Sequence, residues 1–179
     1  MKLKKYTSGF TLVEMVISIS IILIITAVIM LSQRNFSETV ELINVSQRVA
    51  TVIREAQVKG LAVEILDDDY PLAGRGVYFD GSVNYIYFSD TNENYKYDVG
   101  EEISSHFLRP GFTFGEVLCG SSSCDELNVV YRRPETQAYF YDETGLFYDD
   151  TVSIPVVSDQ GRVQTVKVLR TGQITVIEE

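Results

Sequence analysis

The chain has 179 residues, with 15 Lys+Arg against 25 Asp+Glu and a formal net charge of -10. That length suits one ordinary domain with an appendage and excludes two full enzymatic domains. The acidic balance argues against autonomous nucleic-acid binding, which draws on clustered Lys and Arg. With a single His, any His-based mechanism would run through His106, and frequent β-branched and aromatic residues with only 4 Pro argue against disorder.

The first element opens with Lys2, Lys4 and Lys5, then Gly9 and Phe10, and residues 15–33 carry no charge. A helix crosses the hydrocarbon core with roughly 17–25 apolar residues, so this run is long enough. The leading lysines place the N-terminus in the cytoplasm and the C-terminal part outside. An ordinary secretory signal fits less well, because its small-residue cleavage site follows the apolar core. Here the small residue, Gly9, precedes it. Glu14 falls in the first turn of the expected helix, where a carboxylate at membrane depth is costly. It is either a functional group or an interfacial charge favoured by the helix N-terminus.

From residue 32 the pattern turns amphipathic: Leu42, Val45, Val49, Val52 and Ala56 alternate spacings of three and four and draw one apolar stripe. No Pro or Gly interrupts the segment before Gly60, a reasonable helix stop. One continuous helix is therefore predicted over residues 11–59, and its second half has a face to pack on another layer. After Gly60 the periodicity is that of strands. Residues 76–88 read as a hairpin turning at Asp80-Gly81. Further strands are expected at 103–108, 112–118, 127–132, 137–141, 152–157, 163–169 and, after a turn at Thr171-Gly172, 173–177. The predicted class is α+β, a long N-terminal helix packed on a mostly antiparallel β-sheet domain, with the outline of a lollipop.

Three constellations could carry chemistry. Asp90, Asn92, Asn94, Asp98 and Glu101 put side-chain oxygens at the first, third, fifth, ninth and twelfth positions of an EF-hand-like loop, with a carbonyl from Lys96. The spacing suits Ca²⁺, but the sixth position, normally Gly for the sharp turn, is Tyr95. The other reading is a solvated loop of turn-forming Asp and Asn. Cys119 and Cys124 enclose Gly120 and three serines, and a disulfide there would need an oxidising compartment. His106 and Ser121, Ser122 and Ser123 lack an orienting acid, so a hydrolase is disfavoured.

The basic leader ending in Gly9, the run Phe10-Thr-Leu-Val-Glu14 and the long apolar helix resemble the class III signal of type IV pilins and type II secretion pseudopilins. The resemblance implies cleavage after Gly9 by a prepilin peptidase and N-methylation of Phe10. It also implies pairing of Glu14 with the N-terminal amine of a neighbouring subunit, which would offset two desolvation costs. The segments would then be a leader (1–9), a transmembrane and assembly helix (10–33), its amphipathic continuation (34–60) and an extracytoplasmic β-rich domain (61–179). Many pilins carry a Pro in the apolar half, and this chain has none there. The helix end from Val52 to Gly60, the loop after the hairpin and the closing stretch from Leu169 to Val176 resemble the GspH/FimT type.

That resemblance implies a low-copy, non-enzymatic minor pilin or pseudopilin, single-pass in the cytoplasmic membrane. Its partners would be the prepilin peptidase, other pilins or pseudopilins and the inner-membrane assembly platform. Removal of Lys2, Lys4 and Lys5 leaves 12 Lys+Arg against 25 Asp+Glu, a balance of -13, so no direct nucleic-acid contact is expected. The alternative is a membrane-tethered extracytoplasmic binding domain, shaped by Ca²⁺ and not built into a filament.

Overall fold

The computed structural model describes residues 9–62 and 73–178, apart from the side chains of 31–36. The leader residues 1–8 lie outside the described part. The chain divides into two compact units, Met1–Thr39 and Val40–Glu179. Helix α1, Leu12–Leu61, begins in the first and ends in the second.

In the first unit the stretch Leu12–Met30 is apolar but for Glu14 and three hydroxyls, and long enough to cross a membrane. Its few hydroxyls need no outside partner. Ser18, Ser20 and Thr26 each donate to the carbonyl four residues back, Glu14, Val16 and Ile22, at 2.8 Å. Such back-bonding lets a hydroxyl sit on a lipid-facing helix without an unmet donor.

The second unit is built on the predicted stripe. Leu42, Val45, Val49, Val52 and Ala56 are buried, joined by Ala50 and Ile53. Burying an aliphatic side chain of this size contributes about 1.5–3 kcal/mol, so this face anchors the helix. Among the described residues, twelve strands complete the unit: β1 (Gly74–Phe79), β2 (Asn84–Asp90), β3 (Glu102–Phe107), β4 (Phe112–Phe114), β5 (Leu118–Cys119), β6 (Ser122–Ser123), β7 (Leu127–Tyr131), β8 (Ala138–Asp142), β9 (Gly145–Phe147), β10 (Thr151–Ser158), β11 (Val163–Leu169) and β12 (Ile174–Glu178). They form two antiparallel sheets, ordered β3-β2-β1-β7-β8-β9 and β12-β11-β10-β5-β6, with β4 also on β10. Alternation aims Val77, Phe79, Tyr85, Val129 and Phe140 of one sheet, and Val152, Ile154, Val156, Val166 and Val168 of the other, into one core with the helix stripe. The α+β class is as the sequence predicts, with two sheets sharing the β half.

Two glycines are needed where they stand. At Gly81 the β1–β2 turn takes φ +73° while the Asp80 carboxylate accepts the Ser82 N–H at 2.9 Å. At Gly60 the helix passes so close to β7 that a Cβ would overlap the Tyr131 carbonyl.

One expected strand is corrected. Residues 112–118 do not run as a single strand but break into β4 and β5, both on β10. Phe114 faces Val156 and Leu118 faces Ser153, so three residues oppose two and one is extra, which makes a bulge. Pro155, opposite the break, has no N–H to give the ladder, and its carbonyl accepts the Gly115 N–H at 2.9 Å. The short β6 and β9 were not among the expected strands; each is two or three residues long and carries too little pattern to read.

Candidate functional site

At the start of α1, Gly9, Phe10 and Thr11 lie outside the helix. Thr11 is the N-cap: its Oγ1 accepts the Glu14 N–H at 3.3 Å and its carbonyl accepts the Met15 N–H at 3.2 Å. Phe10 is 76% exposed, and nothing approaches within 4 Å of where a Gly9 Cβ would sit. Glu14 stands in the first helical turn with an exposed side chain, where the helix dipole favours a carboxylate. Gly9, Phe10 and Glu14, singled out in the sequence, are thus grouped on one capped helix start beside an apolar stretch.

The six loop residues also come together, joining β2 to β3. Asp90 is buried, and its two oxygens accept the N–H groups of Asn94 and Tyr95, each at 3.0 Å. Glu101 closes the loop from the other end, accepting the Thr91 N–H and hydroxyl at 2.8 Å and the Asp98 N–H at 3.2 Å. Asp98 receives the side-chain amides of Asn92 and Asn94 at 2.8 and 2.7 Å, and Lys96 donates its N–H to Asn94 Oδ1 at 2.8 Å. Tyr95, at the position a Gly would favour, takes φ +64°, as does Glu93. Burial lifts the Asp90 carboxyl above its ordinary range, against the pull of its backbone donors. The two asparagine amides hold Asp98 below its own. Among the described residues, no three His, Cys, Asp or Glu side chains are grouped to hold a metal ion.

What fastens this loop was not read from sequence. Asn128, buried on β7, accepts the Tyr97 N–H at 2.9 Å. Tyr97 stacks on Tyr78 with ring centres 5.2 Å apart, Tyr95 lies against Tyr139 at 4.7 Å, and Arg132 pairs with Glu93 at 2.6 Å. The one available signal was Asn128 itself, a lone amide in an otherwise apolar strand. Burial and the nearby Glu126 push the Tyr78 hydroxyl up to about 12.

Cys119 and Cys124 form a disulfide, closing the β5–β6 hairpin over Gly120 at φ +65°. Both sulfurs belong to buried residues. His106 stacks on Tyr85 at 5.2 Å and shares a hydrogen bond with Ser104 at 3.0 Å. Ser122 and Ser123 lie in the other sheet, so His106 and the serine loop do not share a site-forming strand pair.

The family model for the prokaryotic N-terminal methylation motif matches residues 4–30, the segment that holds Gly9, Phe10, Glu14 and most of the apolar helix. No curated protein and no solved structure matches the chain.

Proposed function

We propose, from the premise that the chain is a type IV prepilin-like protein, that it is a minor pilin or pseudopilin of the GspH/FimT type. A prepilin peptidase cleaves it after Gly9 and methylates Phe10. It sits single-pass in the cytoplasmic membrane, N-terminus inside and residues 61–179 outside, until it joins a pilus or secretion pseudopilus. Glu14 then pairs with the Phe10 amine of a neighbouring subunit, each group relieving the other's desolvation. Its role is structural, with the peptidase, other pilins or pseudopilins and the inner-membrane assembly platform as partners.

The observation that carries this reading is the coincidence of the methylation motif with an exposed, non-helical Gly9–Phe10 bond directly before a capped apolar helix. The experiment is the intact mass of the membrane-extracted protein, made with and without an active prepilin peptidase. Peptidase-dependent loss of residues 1–9, leaving N-methyl Phe10, is expected. An unprocessed chain beside active peptidase overturns the reading and leaves a membrane-tethered binding domain. Glu14→Ala separates the same two: a filament subunit should be processed yet fail to assemble, whereas a tethered binder should lose nothing.

A further inference from the structure

We propose that Thr11 positions the Gly9–Phe10 bond for cleavage, by capping α1 two residues beyond the bond and so holding it outside the helix. This rests on the processing reading above. The first helical residue is Leu12, and the Thr11 hydroxyl accepts the Glu14 N–H at 3.3 Å. Glu14 occupies the third helical position, the capping-box register behind a Thr N-cap. Phe10 and Met15 flank the box in the register of a hydrophobic staple, which sets how the chain enters a helix. The residues of the motif therefore spell a helix start as well as a cleavage sequence, and Thr11 is the link between the two.

The chemistry follows from where the helix begins. A peptide unit taken into a helix has its carbonyl tied to an N–H four residues on, and so is withdrawn from a peptidase that needs an extended strand. With the cap in place, Gly9 and Phe10 stay outside the helix. Without it, the start spreads over neighbouring positions, and only part of the population presents the bond in the cleavable register. Loss of one N-cap shifts such a population by about five-fold. A smaller competent fraction weakens apparent substrate binding and leaves the bond-breaking step unchanged. Thr11 is a positioning residue, with no part in breaking the bond.

The test is steady-state cleavage of the full-length precursor in membranes by an active prepilin peptidase. Thr11→Val keeps the shape and removes the hydroxyl, Thr11→Ser keeps the hydroxyl, and Thr11→Asn supplies a different cap. Thr11→Val is expected to raise KM, by at most about five-fold, at unchanged kcat, with Thr11→Ser and Thr11→Asn close to wild type. Resistance of the C-terminal unit to limited proteolysis in every variant shows that it has folded. Equal KM for wild type and Thr11→Val overturns the proposal, as does a loss confined to kcat or a Thr11→Ser variant as slow as Thr11→Val. Wild-type precursor left uncut overturns the processing reading instead, and the proposal falls with it.

Discussion

Asp90 and Asp98 lie eight positions apart in one loop and respond to pH in opposite directions. Burial raises the Asp90 pKa in the folded chain, so its contribution to stability is full below the unfolded value and is lost as pH rises through the raised one. Asparagine amides lower the Asp98 pKa, so its contribution is present above the unfolded value and is lost on acidification. Asp90→Asn removes the first titration, at the pH-independent cost of one of the two acceptors that hold the Asn94 and Tyr95 N–H groups. Relative to this variant, wild type should therefore lose melting temperature as pH rises across the acid range. Thermal melts across pH check the sign, and an unchanged gap would show that the burial of Asp90 carries no titration cost. The oxygen pattern of this loop was legible in the sequence, spacing and all. Its closure was not, because the donors are mostly backbone N–H groups, which every residue type supplies.

At the scale of elements, Gly60, expected as the helix stop, lies inside α1, which runs on to Leu61, and serves as a packing device. Ala is the better helix former by about 1 kcal/mol, yet a Cβ at this position meets the Tyr131 backbone. Gly60→Ala should therefore destabilise the second unit by roughly 1–3 kcal/mol, the usual cost of overpacking. A melting temperature raised by the substitution would refute the close approach. The disulfide has a smaller remit. Its loop is short, so replacing Cys119 and Cys124 by Ser should cost about 2 kcal/mol by the loop-entropy account, measured as a lower denaturation midpoint with an unchanged fold. Periodicity was a sound guide to long elements: the stripe from Leu42 to Ala56 and strands β10 and β11 stood out because many residues repeat one pattern. It failed between Phe114 and Leu118, where one extra residue and a partner Pro break the ladder without changing the local composition.

For the molecule as a whole, charge sets what surfaces it can meet. The processed chain would carry a balance of -13, so it should not retain duplex DNA at physiological salt. A gel-shift titration checks this, and saturable retention would reveal a local basic patch outweighing the net field. The methylation motif was legible at the N-terminal end, where a few residues of fixed type stand at fixed spacing. The β half encodes its fold in interchangeable apolar residues, and such sequences leave little that names a task. The back-bonded hydroxyls of α1 carry a consequence for assembly. Ser18, Ser20 and Thr26 spend their protons inside their own helix and hold no donor out to a neighbour. Along Leu12–Met30 the helix then offers exposed apolar side chains and a single charge, at Glu14. In a filament built as proposed above, that carboxylate would be the only charge on the stretch available to mark the axial step between subunits.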